Sequence, residues 1–346
     1  MPEGASLLLP ESRLEDSRKK IRAPFELDPS LCVYSPQANR DALRHPKVAA
    51  WLEFVSKEWE PPSDDDSRIA LFVPCTKYKP YSTSREHRAI NGALLAAGWE
   101  PTEPLNIPEG MEECLDPGES LELLNISPLR RGGVFLDRIV MSEPLALVPY
   151  QFIYYWQGEQ SPATSYDDPG LFEARGTSVS PEREDSTAVQ VSKSRWRWGP
   201  NEREAFVEVH NFLAKTIAET LERVASRYDI LAAWVSPGLT HRSFLADSAF
   251  RREDGLASSK RGPAGAMQLY GALDSFSGKV EIMPSHGQLE RAKEKLSKRL
   301  RHEGRDATEG SVRAVYARGD GNDTPLGLPE ALEQLTGWLD DRVRRL

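Results

Sequence analysis

Short apolar runs alternating with amphipathic stretches predict an α/β protein built on a largely parallel central sheet. Three observations carry this. Residues Arg68-Ile-Ala-Leu-Phe-Val73 form a continuous run rich in strand formers, as a strand buried on both faces requires. Between Glu202 and Tyr228, Phe206, Val209, Phe212, Leu213, Ile217, Leu221 and Val224 fall near a 3.6 period, the longest helix signal in the chain. Ile230-Leu-Ala-Ala-Trp-Val235 then repeats the strand pattern and ends at Ser236-Pro237-Gly238.

Taken in order, residues 1–26 are polar and mixed in charge and read as a loosely ordered lead-in. From Arg40 to about Trp59, Leu43, Val48, Trp51, Leu52, Val55 and Trp59 recur at helical spacing. Pro61-Pro62-Ser63-Asp64-Asp65-Asp66 is a loop before the first strand, which Pro74 stops. A helix is expected from about Thr83 to Ala97, closed by Gly98, and a strand over Gly133–Met141. Pro169 to Pro200 reads as a long irregular segment, and 253–267 as a loop. Lys279–Met283 reads as a strand, Gln288–Arg301 as a helix and Ser311–Ala317 as a strand. A final helix spans about Pro329–Val343, with Leu332, Leu335, Trp338 and Leu339 on one face. The organisation expected is a lead-in (1–26), an α/β domain (27–200) and a C-terminal α/β portion (201–346) that either stands apart or completes the same domain.

Composition excludes several classes. The chain has 346 residues, enough to bury a core, and its eight Trp argue against a disordered polymer. No apolar run reaches the length of a membrane span, and the first residues lack the pattern of a secretory signal. Three scattered cysteines, Cys32, Cys75 and Cys114, support neither a disulfide framework nor a zinc module, so a reducing cytoplasm is the expected compartment. The six His show no metal-ligand spacing and there is no Gly-rich phosphate loop, so neither a metal nor a nucleotide cofactor is expected. With a net charge of −9, any polyanion site must be a local patch.

The stretch from Pro74 to His87, PCTKYKPYSTSREH, concentrates reactive chemistry between the first strand and the next helix. Ligands in open α/β sheets bind outside the carboxyl ends of strands, where this stretch falls. Free N–H groups at the helix start would favour an anion. That dipole, with Lys77 and Lys79, would lower the pKa of Cys75. Ser84 and His87 would share a helix face, leaving His87 to act as acid or base. Against this stands a plainer reading: a small core thiol and a solvated imidazole.

The pattern Pro-Cys-x3-Lys-Pro-Tyr-x2-Ser-x2-His, here Pro74, Cys75, Lys79, Pro80, Tyr81, Ser84 and His87, resembles the signature of the archaeosine synthase domain. The likeness extends to His45-Pro46-Lys47-Val48, WLEFVSKEWEPP from Trp51 to Pro62, Ser142-Glu-Pro-Leu-Ala-Leu-Val-Pro149, and Pro162-Ala-Thr-Ser-Tyr166-Asp167, so it covers roughly residues 40–180. The resemblance implies a three-layer sandwich similar to uracil-DNA glycosylase. It implies a transferase that adds an amine, that of free lysine, to the nitrile of 7-cyano-7-deazaguanine already in tRNA, after which a separate radical enzyme releases the archaeosine base.

The residue types suit that chemistry. Lys79, Tyr81, Ser84 or backbone N–H groups would stabilise charge on the nitrile nitrogen, and His87 would move a proton. Cys75 would form a transient thioimidate. Lys77, Ser142, Glu143, Tyr166 and Asp167 are candidates for holding the guanine-like edge or the lysine amine, with a surface loop as the plainer reading of the carboxylates. Tyr154, Tyr155 and Trp156 read as core or as a base-stacking platform. His241-Arg242-Ser243-Phe244, after a strand and a Pro-Gly turn, is a second pocket wall or a structural element.

The sequence departs from the family in lacking a recognisable transglycosylase-like region and a PUA module, which puts the tRNA substrate in doubt. Lys193, Arg195, Trp196, Arg197 and Trp198 interleave cations with aromatics, as a nucleic-acid contact would. A second basic stretch, Arg291, Lys293, Lys295, Lys298, Arg299, Arg301 and Arg305, lies along phosphates or is a solvated face paired with Glu290 and Glu294. The alternatives are the same chemistry on 7-deazaguanine in phage or genomic-island DNA, and a non-catalytic nucleic-acid-binding subunit of a split enzyme. A radical enzyme or a transglycosylase is the expected protein partner.

Overall fold

The computed structural model describes residues 10–62, 66–168, 178–192, 195–237, 240–321 and 324–346. In chain order the helices are α1 (Pro10–Arg18), α2 (Pro36–Ala42), α3 (Pro46–Glu53), α4 (Arg85–Ala96), α5 (Pro200–Val224), α6 (Thr240–Leu245), α7 (Ser248–Glu253), α8 (His286–His302), α9 (Glu309–Ala317) and α10 (Pro329–Val343). The strands are β1 (Arg68–Pro74), β2 (Glu100–Pro101), β3 (Leu129–Arg131), β4 (Val134–Ser142), β5 (Ala146–Pro149), β6 (Tyr155–Trp156), β7 (Glu159–Gln160), β8 (Val189–Ser192), β9 (Arg195–Arg197), β10 (Ile230–Trp234), β11 (Ser259–Gly262), β12 (Gly265–Gln268) and β13 (Glu281–Met283).

The result is an α/β sandwich around a seven-stranded, mostly parallel sheet of order β13-β10-β1-β4-β3-β2, with β5 pairing the second half of β4. The strands β13, β10, β1 and β4 run parallel, and every residue of β1 is buried, as its continuous apolar run requires. From β1 the chain proceeds through α4 to β4 on one side. From β4 it passes through α5 to β10 on the other side of β1, and then outward to β13. Connections therefore diverge between β1 and β10, a topological switch point where α/β folds open a crevice at the strand carboxyl ends. Residues beyond 200 supply two of the four parallel strands.

Helices flank this sheet. α5 buries Val209, Leu213, Ile217 and Leu221, close to the face its periodicity marks, and α2 packs against it. α10 buries Leu332, Leu335 and Leu339 and packs on both α4 and α8, while its Trp338 is only half-buried. Pro at the first turn starts α2, α3, α5 and α10, because that position has no intrahelical partner for an N–H. At the far end of the sheet Arg68 is buried against Asp137 at 3.0 Å, and Tyr228 donates to the same carboxylate at 3.0 Å. Among the described residues no helix is long and apolar enough to cross a membrane.

Several expectations are corrected. The lead-in is not loose over its described part: α1 forms, Ser17 and Lys20 are buried, and Arg22 N donates to Lys79 O at 2.7 Å. Long-range pairing orders it, and local polarity does not show that. The single helix expected over Arg40–Trp59 is broken, with α2 and α3 separated before Pro46 and a π-helical turn over Phe54–Glu58. Residues 253–267 hold part of the β11–β12 hairpin, and the segment before Pro200 holds the β8–β9 hairpin. Ser311–Ala317 is helical, since Thr308 caps it by accepting from Ser311 N and Val312 and Tyr316, four apart, face the core. Over seven residues that spacing also fits strand alternation. Ser63, Asp64 and Asp65, residues 169–177 of the irregular segment, Gly238 and the first nine residues lie outside the described residues.

Candidate functional site

The switch point brings three strand ends together. Cys75 follows β1, and its N–H extends the ladder to Met141 O at 2.9 Å. Ser142 ends β4 and Glu143 follows it, and α6 starts just past β10. Across the gap Cys75 Sγ lies 3.2 Å from His241 Nε2, a hydrogen bond along which one proton can move. Both side chains are buried. Burial pushes the Cys75 thiol up to about 12, with Asp168 and Glu143 adding to it and Lys79 opposing. Burial and the nearby His87 bring His241 down to about 4. At neutral pH the pair is a thiol and a neutral imidazole.

Around it lies a buried polar shell. Tyr81, Ser142 and Tyr166 form a closed triangle of hydroxyls at 3.1, 2.9 and 2.6 Å. Lys79 is fully buried, 4.3 Å over the Tyr166 ring and 4.0 Å from Asp167. Burial lowers its pKa, with Asp167 opposing that shift. Asp167 is held more closely by Lys20 at 2.8 Å and Ser17 at 2.7 Å. Glu143 accepts from Asn39 Nδ2 at 3.1 Å. Burial, followed by the charge of and a hydrogen bond to Asp168, holds the Glu143 carboxyl well above the usual carboxylate range. Ala146, which pairs with Ser142 across the β4–β5 turn, carries a φ of 58°, a strained position for a residue with a Cβ beside these groups.

The motif thus divides. Cys75, Lys79 and Tyr81 point into the shell that also holds Ser142, Glu143, Tyr166 and Asp167. His87 does not. Its Nε2 lies 2.8 Å from Pro74 O and its Nδ1 3.0 Å from Tyr150 O–H. A neutral ring donating at Nε2 and accepting at Nδ1 satisfies both contacts, and burial brings its pKa down to about 4. Both ring nitrogens of His87 are thus engaged by Pro74 O and Tyr150, and it is His241, not His87, that contacts the Cys75 thiol.

Ser84 is likewise the N-cap of α4, accepting from His87 N at 3.2 Å. The buried Glu86 carboxylate occupies that first turn, bonded to Thr324, so no anion site opens there. The expected lowering of the Cys75 pKa is reversed because α4 begins ten residues on, at Arg85, and desolvation dominates. Removing the cap, Ser84→Ala, is expected to cost about 1 kcal/mol. Urea unfolding checks this, and an unchanged midpoint counts against the capping role.

Lys77 is half-buried beside the Tyr78 ring, apart from the shell. Tyr154 is core, bonded to Ser82 and Leu124 O, and Trp156 packs on Trp51 and Phe54, while Tyr155 is exposed. Arg242 is a buried strut to Asp254. Arg195 and Arg197 are exposed on β9 between half-buried Trp196 and Trp198, and Lys193 lies outside the described residues. The basic stretch on and after α8 is largely neutralised: Lys293 pairs with Glu290, Lys295 with Glu333, and Arg299 and Arg305 with Asp320.

Sequence reasoning missed Lys20, Asn39 and Asp168. Only Asp168, beside Tyr166-Asp167, carried a local signal. Among the described residues no group of three or more His, Cys, Asp or Glu side chains is placed to hold a metal ion. Comparison with family models, curated proteins and solved structures finds no match to this chain.

Proposed function

We propose that this chain is an archaeosine-synthase-type enzyme that adds an amine, that of lysine, to the nitrile of 7-cyano-7-deazaguanine in tRNA, on a sandwich of the uracil-DNA glycosylase type. The observation that carries this reading is the Cys75–His241 contact at the switch point, 3.2 Å across, with Lys79 and the Glu143–Asp168 carboxyls around it. A neutral thiol beside a neutral imidazole matches addition to a nitrile, which consumes one nucleophile and one proton. His241 takes the thiol proton as sulfur bonds to the nitrile carbon. That proton passes to the nitrile nitrogen, giving a thioimidate with no net change in charge.

The amine then attacks the same carbon and its proton returns to sulfur as the C–S bond breaks, leaving an amidine on the base and the thiol restored. Lys79 and the Tyr81–Ser142–Tyr166 hydroxyls are the donors at hand for charge developing on nitrogen. The carboxyl pair suits the N–H edge of a guanine-like base or the ammonium of lysine.

Incubation with nitrile-bearing tRNA and lysine, then nucleoside mass analysis, is expected to show the lysine adduct. Without amine, a covalent tRNA–protein species is expected on a denaturing gel, and it should be absent from Cys75→Ser. No new nucleoside from tRNA, or from nitrile-bearing DNA run in parallel, sinks the reading.

A further inference from the structure

The β8–β9 and β11–β12 hairpins lie apart in sequence but are fastened to the same end of α5. Trp198, just past β9, packs its ring 5.5 Å from Phe206 of α5, and Lys260 of β11 places its Nζ 5.0 Å over that same ring. Arg203 joins the two hairpins directly, donating to Trp198 O at 2.6 Å and to Arg261 O at 2.7 Å. On β9, Arg197 pairs opposite Val189 and Arg195 opposite Ser192, so alternation sends both guanidinium groups to one face and Trp196 to the other. Arg195, Arg197 and Arg261 are exposed, and none makes an ion pair among the described residues. In a chain of net charge −9 this contrasts with the α8 stretch, whose cations are mostly matched by carboxylates. The carboxylates on the first turns of α5 offset the patch only in part. Glu202, which accepts from Gly199 N and Thr187, and Glu204, under Gly262, place two negative charges beside the five cations Arg195, Arg197, Arg203, Lys260 and Arg261.

This surface is tied to the candidate site through one short helix. Gln37 of α2 donates to Glu202 at 2.8 Å, fixing the start of α5, and two residues on Asn39 donates to Glu143 at 3.1 Å. We infer that the two hairpins and the first turns of α5 form a clamp for the phosphate backbone of tRNA, holding the polymer while the base is presented to Cys75. The choice of tRNA rests on the function proposed above. The phosphate contact does not, since it follows from the exposed Arg195, Arg197 and Arg261, none in an ion pair among the described residues, and from the half-buried Trp196 and Trp198 beside them.

The test uses the full chain and an unmodified tRNA transcript, so it reads binding without any chemistry. The triple variant R195Q/R197Q/R261Q touches only exposed side chains, and its unfolding midpoint is checked against the parent. It is expected to bind about 10- to 100-fold more weakly at 100 mM salt, with the log–log salt slope reduced by about 2 to 3. The control K293Q/K295Q/R305Q on and after α8, each residue paired with a carboxylate, is expected to bind within about twofold of the parent, because already paired cations release few counterions. Unchanged binding by the first variant, or equal losses in both, overturns the clamp. A DNA duplex of equal length bound as tightly as tRNA reassigns the surface to DNA and overturns the RNA assignment. Loss of binding in the first variant alone, without any nucleoside product from the parent, supports the clamp and rejects the nitrile chemistry separately.

Discussion

Cys75→Ser and His241→Asn are each expected to lower turnover of the nitrile base by about 10³-fold or more, in single-turnover assays at saturating tRNA. Sulfur is required because the reaction needs a nucleophile that also departs readily from the thioimidate, and a serine alkoxide leaves far less easily. His241 is required because a buried thiol near 12 ionises only if a base takes its proton in the same step. Its Nε2 is the ring nitrogen at 3.2 Å. The double variant is expected to be no slower than either single one, since the two groups act as a unit. His87→Gln provides the contrast: that ring is occupied by Pro74 O and Tyr150, so its loss should appear in stability before it appears in rate. A Cys75→Ser variant that keeps near-parental turnover removes the covalent route.

Much of the fold was legible because its signals are local. β1, β4, α5, β10, α8 and α10 carry apolar runs or long 3.6-residue periods, broken in β4 only by Asp137 and Arg138, and their bounds are met within a few residues. The failures have physical causes. Seven residues with Val312 and Tyr316 four apart fit either period, and only the Thr308 cap separates helix from strand. Pro46 announced the break between α2 and α3, but the spacing of Leu43 to Trp59 spans it.

The site was half legible. Cys75, Lys79 and Tyr81 were visible as a dense reactive stretch at a strand end. The imidazole that meets the thiol comes from 166 residues downstream, and no spacing rule links Cys75 to His241. His87 was the natural choice by proximity. The cap at Ser84 instead turns it toward Tyr150, a partner fixed by tertiary packing.

Acid is expected to unfold this protein early, and three imidazoles set where. His87, His210 and His241 are buried with pKa values of about 4, 3 and 4. Burial leads in each. Arg138 adds to it at His87, Arg251 at His210, and His87 at His241. In the unfolded chain each would titrate near 6.5, so the native state binds fewer protons across the interval between. The sign follows: their contribution is complete above about pH 6.5 and is lost as pH falls through the folded values. Each accounts for about 2 to 3 kcal/mol between pH 7 and pH 4.5. The raised Glu143 carboxyl works the other way, contributing most at low pH, and offsets part of the loss.

Urea unfolding at pH 7.5 and 4.5 measures the difference, and variants apportion it. His210, which faces Tyr270 O and Arg251 away from the thiol, is the cleanest probe. His210→Gln should lower stability at pH 7.5 yet flatten the pH dependence by about 2 kcal/mol, because glutamine cannot bind the proton that drives the loss. A variant whose stability falls with acid as steeply as the parent's would mean that this imidazole is not held neutral by its surroundings. The same assignment for His241, the base proposed for catalysis, would then need direct titration by NMR.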